Sequence, residues 1–173
     1  MRLHQIRVDY ASEQDRLLLR VSSDDGAELR FWLTRRLVKD LWPALITMAK
    51  TVGEARRQSN PAARNAVVEF EHDKAVRQAD FTTPYETQTH LPLGPEPVLV
   101  TRLRAQPDSQ GNAVIAMHPA QGQGMDLAMD PMLLHSFTRL IQAAVAKTNW
   151  DIRLELSSAA STAASGEPGL RLN

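Results

Sequence analysis

The chain has 173 residues, 43% apolar and 23% charged, the balance of an ordinary globular domain with a core of its own. Lys plus Arg and Asp plus Glu each number 20, which argues against a chain-wide basic field for nucleic acid but not against a local basic face. Cysteine is missing, which rules out disulfides, thiolate nucleophiles and Cys-based zinc or iron–sulfur sites.

Met1 to Arg7 carries none of the apolar core of a signal peptide, and no apolar run approaches the roughly 18 residues of a membrane span. A cytoplasmic protein without membrane association is therefore expected. Ile6, Val8 and Tyr10 alternate with Arg7 and Asp9, the period-2 pattern of a half-buried strand. Leu17, Leu19 and Val21 predict a second strand, and Leu29, Phe31 and Leu33 a third whose opposite face carries Arg30 and Trp32. Polar turns at Ser12–Asp15 and Ser22–Gly26 join them into an antiparallel meander. Thr34 is a good N-cap for an amphipathic helix whose stripe is Leu37, Val38, Leu41, Trp42, Leu45, Met48, Ala49 and Val52. Pro43 interrupts that stripe at a cost of about 3 kcal/mol in a regular interior. The stripe continues in phase beyond it, so a single kinked helix is predicted.

Asn60-Pro61 starts a second helix with a narrow apolar face, ending near Phe81–Pro84. An extended, proline-rich connector follows to Pro97. Val98–Leu103, Ala113–His118 and Met125–Met129 predict a second meander, and Asp130-Pro131 opens a helix with Leu133, Leu134, Phe137, Ile141 and Ala144 on one stripe. Trp150–Leu156 (WDIRLEL) alternates once more and predicts a closing strand.

The two meander–helix runs share a register. Leu29, Phe31, Leu33 and Thr34 line up with Met125, Leu127, Met129 and Asp130, and Leu37, Leu41 and Leu45 with Leu133, Phe137 and Ile141. The expected fold is α+β: two related antiparallel three-stranded meander plus helix units (βββα-α-βββα-β) packed around a pseudo-two-fold axis. Residues 1–156 form one compact domain, with unit one at 3–58, the intervening helix and connector at 61–97 and unit two at 98–156. The Ser/Ala/Gly-rich segment 157–173 has too little apolar surface to offset its ordering entropy, so it is expected to be a flexible tail.

Three segments, QDRLLLR (14–20), ELRFWLTRR (28–36) and EFEHDKAVRQADFTTPY (69–85), are similar to a group of small, uncharacterised bacterial proteins. That resemblance implies no activity and no catalytic residue. The tandem sheet-plus-helix order also resembles, in topology alone, the Whirly and PUR-type single-strand nucleic-acid binders. Those have four strands per unit where three are predicted here, and no residue motif carries over.

Motifs for catalysis are sparse. His4, His72, His90, His118 and His135 lack metal-ligand spacing, and Glu69, Glu71, His72 and Asp73 read as a solvated helix face. Gly122 and Gly124 mark a hairpin tip without the lysine of a phosphate loop, and no nucleophile elbow occurs. No metal and no cofactor is expected. The first functional reading is a non-enzymatic interaction or assembly module, a homo-oligomer with a dimer favoured, using Trp32, Trp42, Phe70 and Phe81 as interface anchors. The second is a single-stranded nucleic-acid binder with Arg30, Trp32, Arg35 and Arg36 as a basic-aromatic platform. An enzyme with a site near His118 or His135 comes third.

Overall fold

A computed structural model of the protein describes residues 2–156; the tail expected at 157–173 lies outside the described residues. The first meander consists of β1 (Leu3–Ala11), β2 (Arg16–Ser23) and β3 (Glu28–Thr34). Helix α1 (Arg35–Thr51) follows without a loop, because the Thr34 hydroxyl accepts from Leu37 N–H at 3.2 Å and caps it. Pro43 lies inside this helix, which runs unbroken as the in-phase stripe predicts. A short 3-10 turn (Ala55–Arg57) leads to α2 (Pro61–Gln78), capped by Asn60. Beyond the connector come β4 (Val98–Leu99), β5 (Arg102–Pro107), β6 (Ala113–His118), β7 (Met125–Met129) and α3 (Pro131–Val145).

The strands form a four-stranded sheet, β1-β2-β3-β4, and a three-stranded sheet, β5-β6-β7. This corrects the expected single strand over Val98–Leu103. Its first residues pair in parallel with Phe31 and Trp32, and its last belong to the other sheet. The step between sheets falls at two residues: Val100 N–H donates to Trp32 O at 3.1 Å and Thr101 N–H to His118 O at 3.0 Å. The closing strand predicted at 150–156 does not form. Asp151 takes a positive φ of 51°, which breaks the extended run. The segment is tied down by Gln142 Nε2 to Leu154 O and by the Trp42 indole N–H to Glu155 O.

Within each meander the strand pairing repeats. Leu17 pairs with Leu33 and Leu19 with Phe31; at the same offset along the chain, Ala113 pairs with Met129 and Ile115 with Leu127. The caps match as well, Asp130 accepting from Leu133 N–H at 2.8 Å as Thr34 does from Leu37. Leu17, Leu19, Phe31 and Leu33 and their counterparts Ala113, Ile115, Leu127 and Met129 all face one continuous core. A fully buried leucine there contributes about 1.5–3 kcal/mol relative to exposure. Helix packing is reciprocal: α1 lies on its own β3 and on β5 of the other unit, while α3 lies on its own β7 and on β1. Trp150 adds a further tie, its indole N–H donating to Asp15 in the β1–β2 turn and its ring meeting Tyr10 edge-on at 6.0 Å.

Candidate interaction surface

The outer face of the first sheet carries Arg30 and Trp32, the residues of the two leading functional readings that lie on a strand. Pairing sets them in rows: Gln5–Ser22–Glu28, then Arg7–Arg20–Arg30, then Asp9–Leu18–Trp32. The chain itself covers part of this face. Residues 84–90 of the connector cross it as a strap. Gln5 anchors one end, donating to Pro84 O at 3.2 Å and accepting from Glu86 N–H at 3.0 Å. In the middle the Tyr85 ring lies 4.7 Å from the Arg20 guanidinium, a cation–π contact. At the far end Gln88 N–H donates to Glu28 at 3.0 Å, and Glu28 N–H donates to His90 O at 2.9 Å.

Charges under the strap neutralise one another. Glu28 is buried and accepts from Arg30 Nε at 2.6 Å, while Asp9 accepts from Arg7 and from Arg20 at 2.8 Å. Burial alone would raise the Glu28 carboxyl; the Gln88 N–H and the Arg30 guanidinium outweigh it and hold it below its ordinary value. Burial and the Glu28 carboxylate push the Tyr85 phenol up to about 12, so it stays neutral. Arg30 also donates to Pro95 O at 3.4 Å. It is therefore committed to the fold and does not stand beside Trp32 as a free cation for phosphate.

Past the strap the face is open. Leu18, Trp32 and Leu99 form one row across β2, β3 and β4, with Leu99 exposed and the other two partly exposed. Arg35 and Arg36, in the first turn of α1, are exposed, and no acidic residue shares that turn. Neither makes an ion pair among the described residues. The helix dipole disfavours cations there, so the pair lacks local compensation.

The other named residues are dispersed. Trp42 is buried and its N–H is satisfied by Glu155 O, which assigns it to the core. Phe70 is 65% exposed on α2, and Phe81 lines a groove of about 890 Å³ between β1 and α3 to which neither Trp32 nor Phe70 contributes. His118 Nε2 meets Asp126 Oδ1 at 2.7 Å on the second sheet. His135 is buried edge-on to His72, ring centroids 5.6 Å apart, and burial together with His72 pushes its pKa down to about 4. Among the described residues no group of three or more His, Cys, Asp or Glu is placed to hold a metal ion, and no helix is long and apolar enough to cross a membrane.

Sequence reasoning missed Tyr85, Glu28 and Leu99. Tyr85 is the lone aromatic of an unpatterned connector, but the outward Glu28 two residues before Arg30 is a same-face ion pair that strand alternation makes legible. No family model matches the chain, and neither a curated protein nor a solved structure matches it.

Proposed function

We propose that the protein is a non-enzymatic assembly module that pairs with a second copy through the open half of its first sheet. One observation carries this: the Leu18–Trp32–Leu99 row is left uncovered where the chain covers the neighbouring rows with its own strap. An apolar row centred on tryptophan and rimmed by arginine has the composition of an interface hot spot. The same reading takes the two units as an internal repeat about an approximate two-fold axis, supported by their shared register and reciprocal helix packing.

Light scattering is expected to give a particle of at least twice 19.3 kDa. Trp32→Ala combined with Leu99→Ser is expected to shift it to the monomer. A concentration-independent monomer for the unaltered protein would refute the assembly reading. Arg35 and Arg36, exposed in the first turn of α1 without an ion pair among the described residues, favour single-stranded nucleic acid as the second reading. That reading requires binding of a labelled oligonucleotide that weakens steeply with salt and is lost in Trp32→Ala; no binding at low salt removes it.

A further inference from the structure

The second sheet presents a different outer face. Arg104, Ala116 and Asp126 share one row across β5, β6 and β7, and Arg102 stands opposite His118 in the next. Above Ala116 the surface sinks into a hollow of about 310 Å³. The corresponding row of the first sheet is Arg7–Arg20–Arg30, where Arg20 lies against Tyr85 of the strap. Alanine in place of that arginine, with no strap above it, is what opens the space.

Arg102, His118 and Asp126, beside the hollow, are held in place. Arg102 directs Nε and Nη2 at one acceptor, Pro119 O, at 2.9 and 2.7 Å, leaving its Nη1 hydrogens free. His118 is fixed by Asp126 on one side and by the close approach of Gly124 on the other. A Cβ on Gly124 would sit 2.6 Å from His118 Cα and 2.7 Å from its Cγ, a separation that real side chains do not adopt. Arg104 is exposed and has neither ion pair nor hydrogen bond among the described residues. Exposed groups of this kind add little to stability, so their ordering is not explained by the core.

We propose that this hollow binds a small phosphate monoester carrying a neighbouring hydroxyl group. Arg102 and Arg104 lie two residues apart on one strand, about 7 Å along it. One guanidinium fork already spans both oxygens and matches the single charge of a carboxylate, whereas a phosphate monoester has three free oxygens and up to two charges for two guanidinium groups to share. The Asp126 carboxylate, across the alanine floor, accepts from the ligand hydroxyl, and its bond to His118 tempers its repulsion of the phosphate. The site is independent of the assembly reading, since it uses the other sheet.

The test is a titration of the full-length protein with glycerol 3-phosphate at low ionic strength, followed by NMR. The expected result is a saturable shift of the Ala116 methyl and His118 ring signals, with Kd on the order of 1 mM. Arg104→Ala should weaken it about tenfold, while Arg35→Ala leaves it unchanged. Dimethyl phosphate, which has one charge and two free oxygens, should bind several-fold more weakly. The absence of a saturable shift, equal binding of dimethyl phosphate, or an Arg104→Ala titration like that of the unaltered protein would overturn the proposal. The urea midpoint of Arg104→Ala should match that of the unaltered protein, because the side chain has no partner to lose.

Discussion

Row for row, Arg7–Arg20–Arg30 on the first sheet stands where Arg104–Ala116–Asp126 stands on the second. On the first sheet the charges at and beside β3 are closed in, with Arg7 at the sheet's edge left exposed: the Glu28 side chain has 0% exposure, Arg30 is bound to it, and Tyr85 covers Arg20. On the second they are open, with Asp126 63% and His118 38% exposed. The inner faces of the same strands do not diverge in this way; both are apolar and face the shared core. Two stretches that share a core are constrained there, because close packing allows few side-chain volumes. Their outer faces answer only to what lies on them, and here one carries a strap and the other a hollow.

The largest test of that contrast compares two carboxylates. Glu28→Ala leaves Arg30 and the Gln88 N–H without their buried acceptor and is expected to lower unfolding stability by about 3 kcal/mol or more. Asp126→Ala, on the open face, should cost less than about 1 kcal/mol. Equal losses in urea unfolding would erase the distinction between covered and open.

Acid should separate the two units by pH. The buried His135 has a pKa of about 4 in the folded protein against an ordinary 6.5, so the unfolded chain takes up the proton first. Stability is then full above pH 6.5 and falls between 6.5 and 4, by on the order of 3 kcal/mol. Facing the histidine pair are Asp73, which favours protonation of His72, and Arg139, which opposes it. Glu28, depressed below its ordinary 4.5, acts in the opposite range: its contribution is present above 4.5 and lost only as pH drops through the lowered value. Unfolding midpoints at pH 7, 5.5 and 4.5 should therefore slope in the unaltered protein and lose most of that slope in His135→Leu, the remainder belonging to His72, which burial also holds below its ordinary value. A slope unchanged in His135→Leu would place the acid sensitivity elsewhere.

A smaller effect is expected at the strap. Tyr85→Ala removes the ring from Arg20 and should cost about 2 kcal/mol, with faster amide exchange confined to residues 84–90. Exchange that rises evenly over the first sheet would mean the strap is part of the core and not a cover. The smallest change is Trp32→Ala, whose side chain is only partly buried; it should shift the thermal midpoint by a few degrees at most while altering particle mass.

Much of the fold was legible because it rests on local pattern. Alternation at Ile6–Tyr10 and Leu29–Leu33, the caps Thr34, Asn60 and Asp130, and the helical stripes all report a chemistry confined to a few neighbouring residues. What escaped depends on distant partners. The strap has no periodicity, and its anchors Gln5 and Glu28 are 79 and 60 residues away from the atoms they hold. Val98–Leu103 reads as one strand because its composition is uniform, and the change of sheet is dictated by Trp32 O and His118 O. WDIRLEL does alternate in burial, but the positive φ at Asp151 and the side-chain ties from Trp42 and Gln142 replace a ladder. Of the site, Trp32, the arginines and the place of Trp42 on the α1 stripe were visible in sequence, and the Glu28–Arg30 pair is legible from strand alternation; the Gln88 and Pro95 contacts that complete it come from the unpatterned connector.

The reciprocal helices make the two halves interdependent. Each rests its amphipathic helix partly on the opposite sheet, so residues 3–58 or 98–156 expressed alone would leave part of that greasy stripe bare, and neither piece could close its own core.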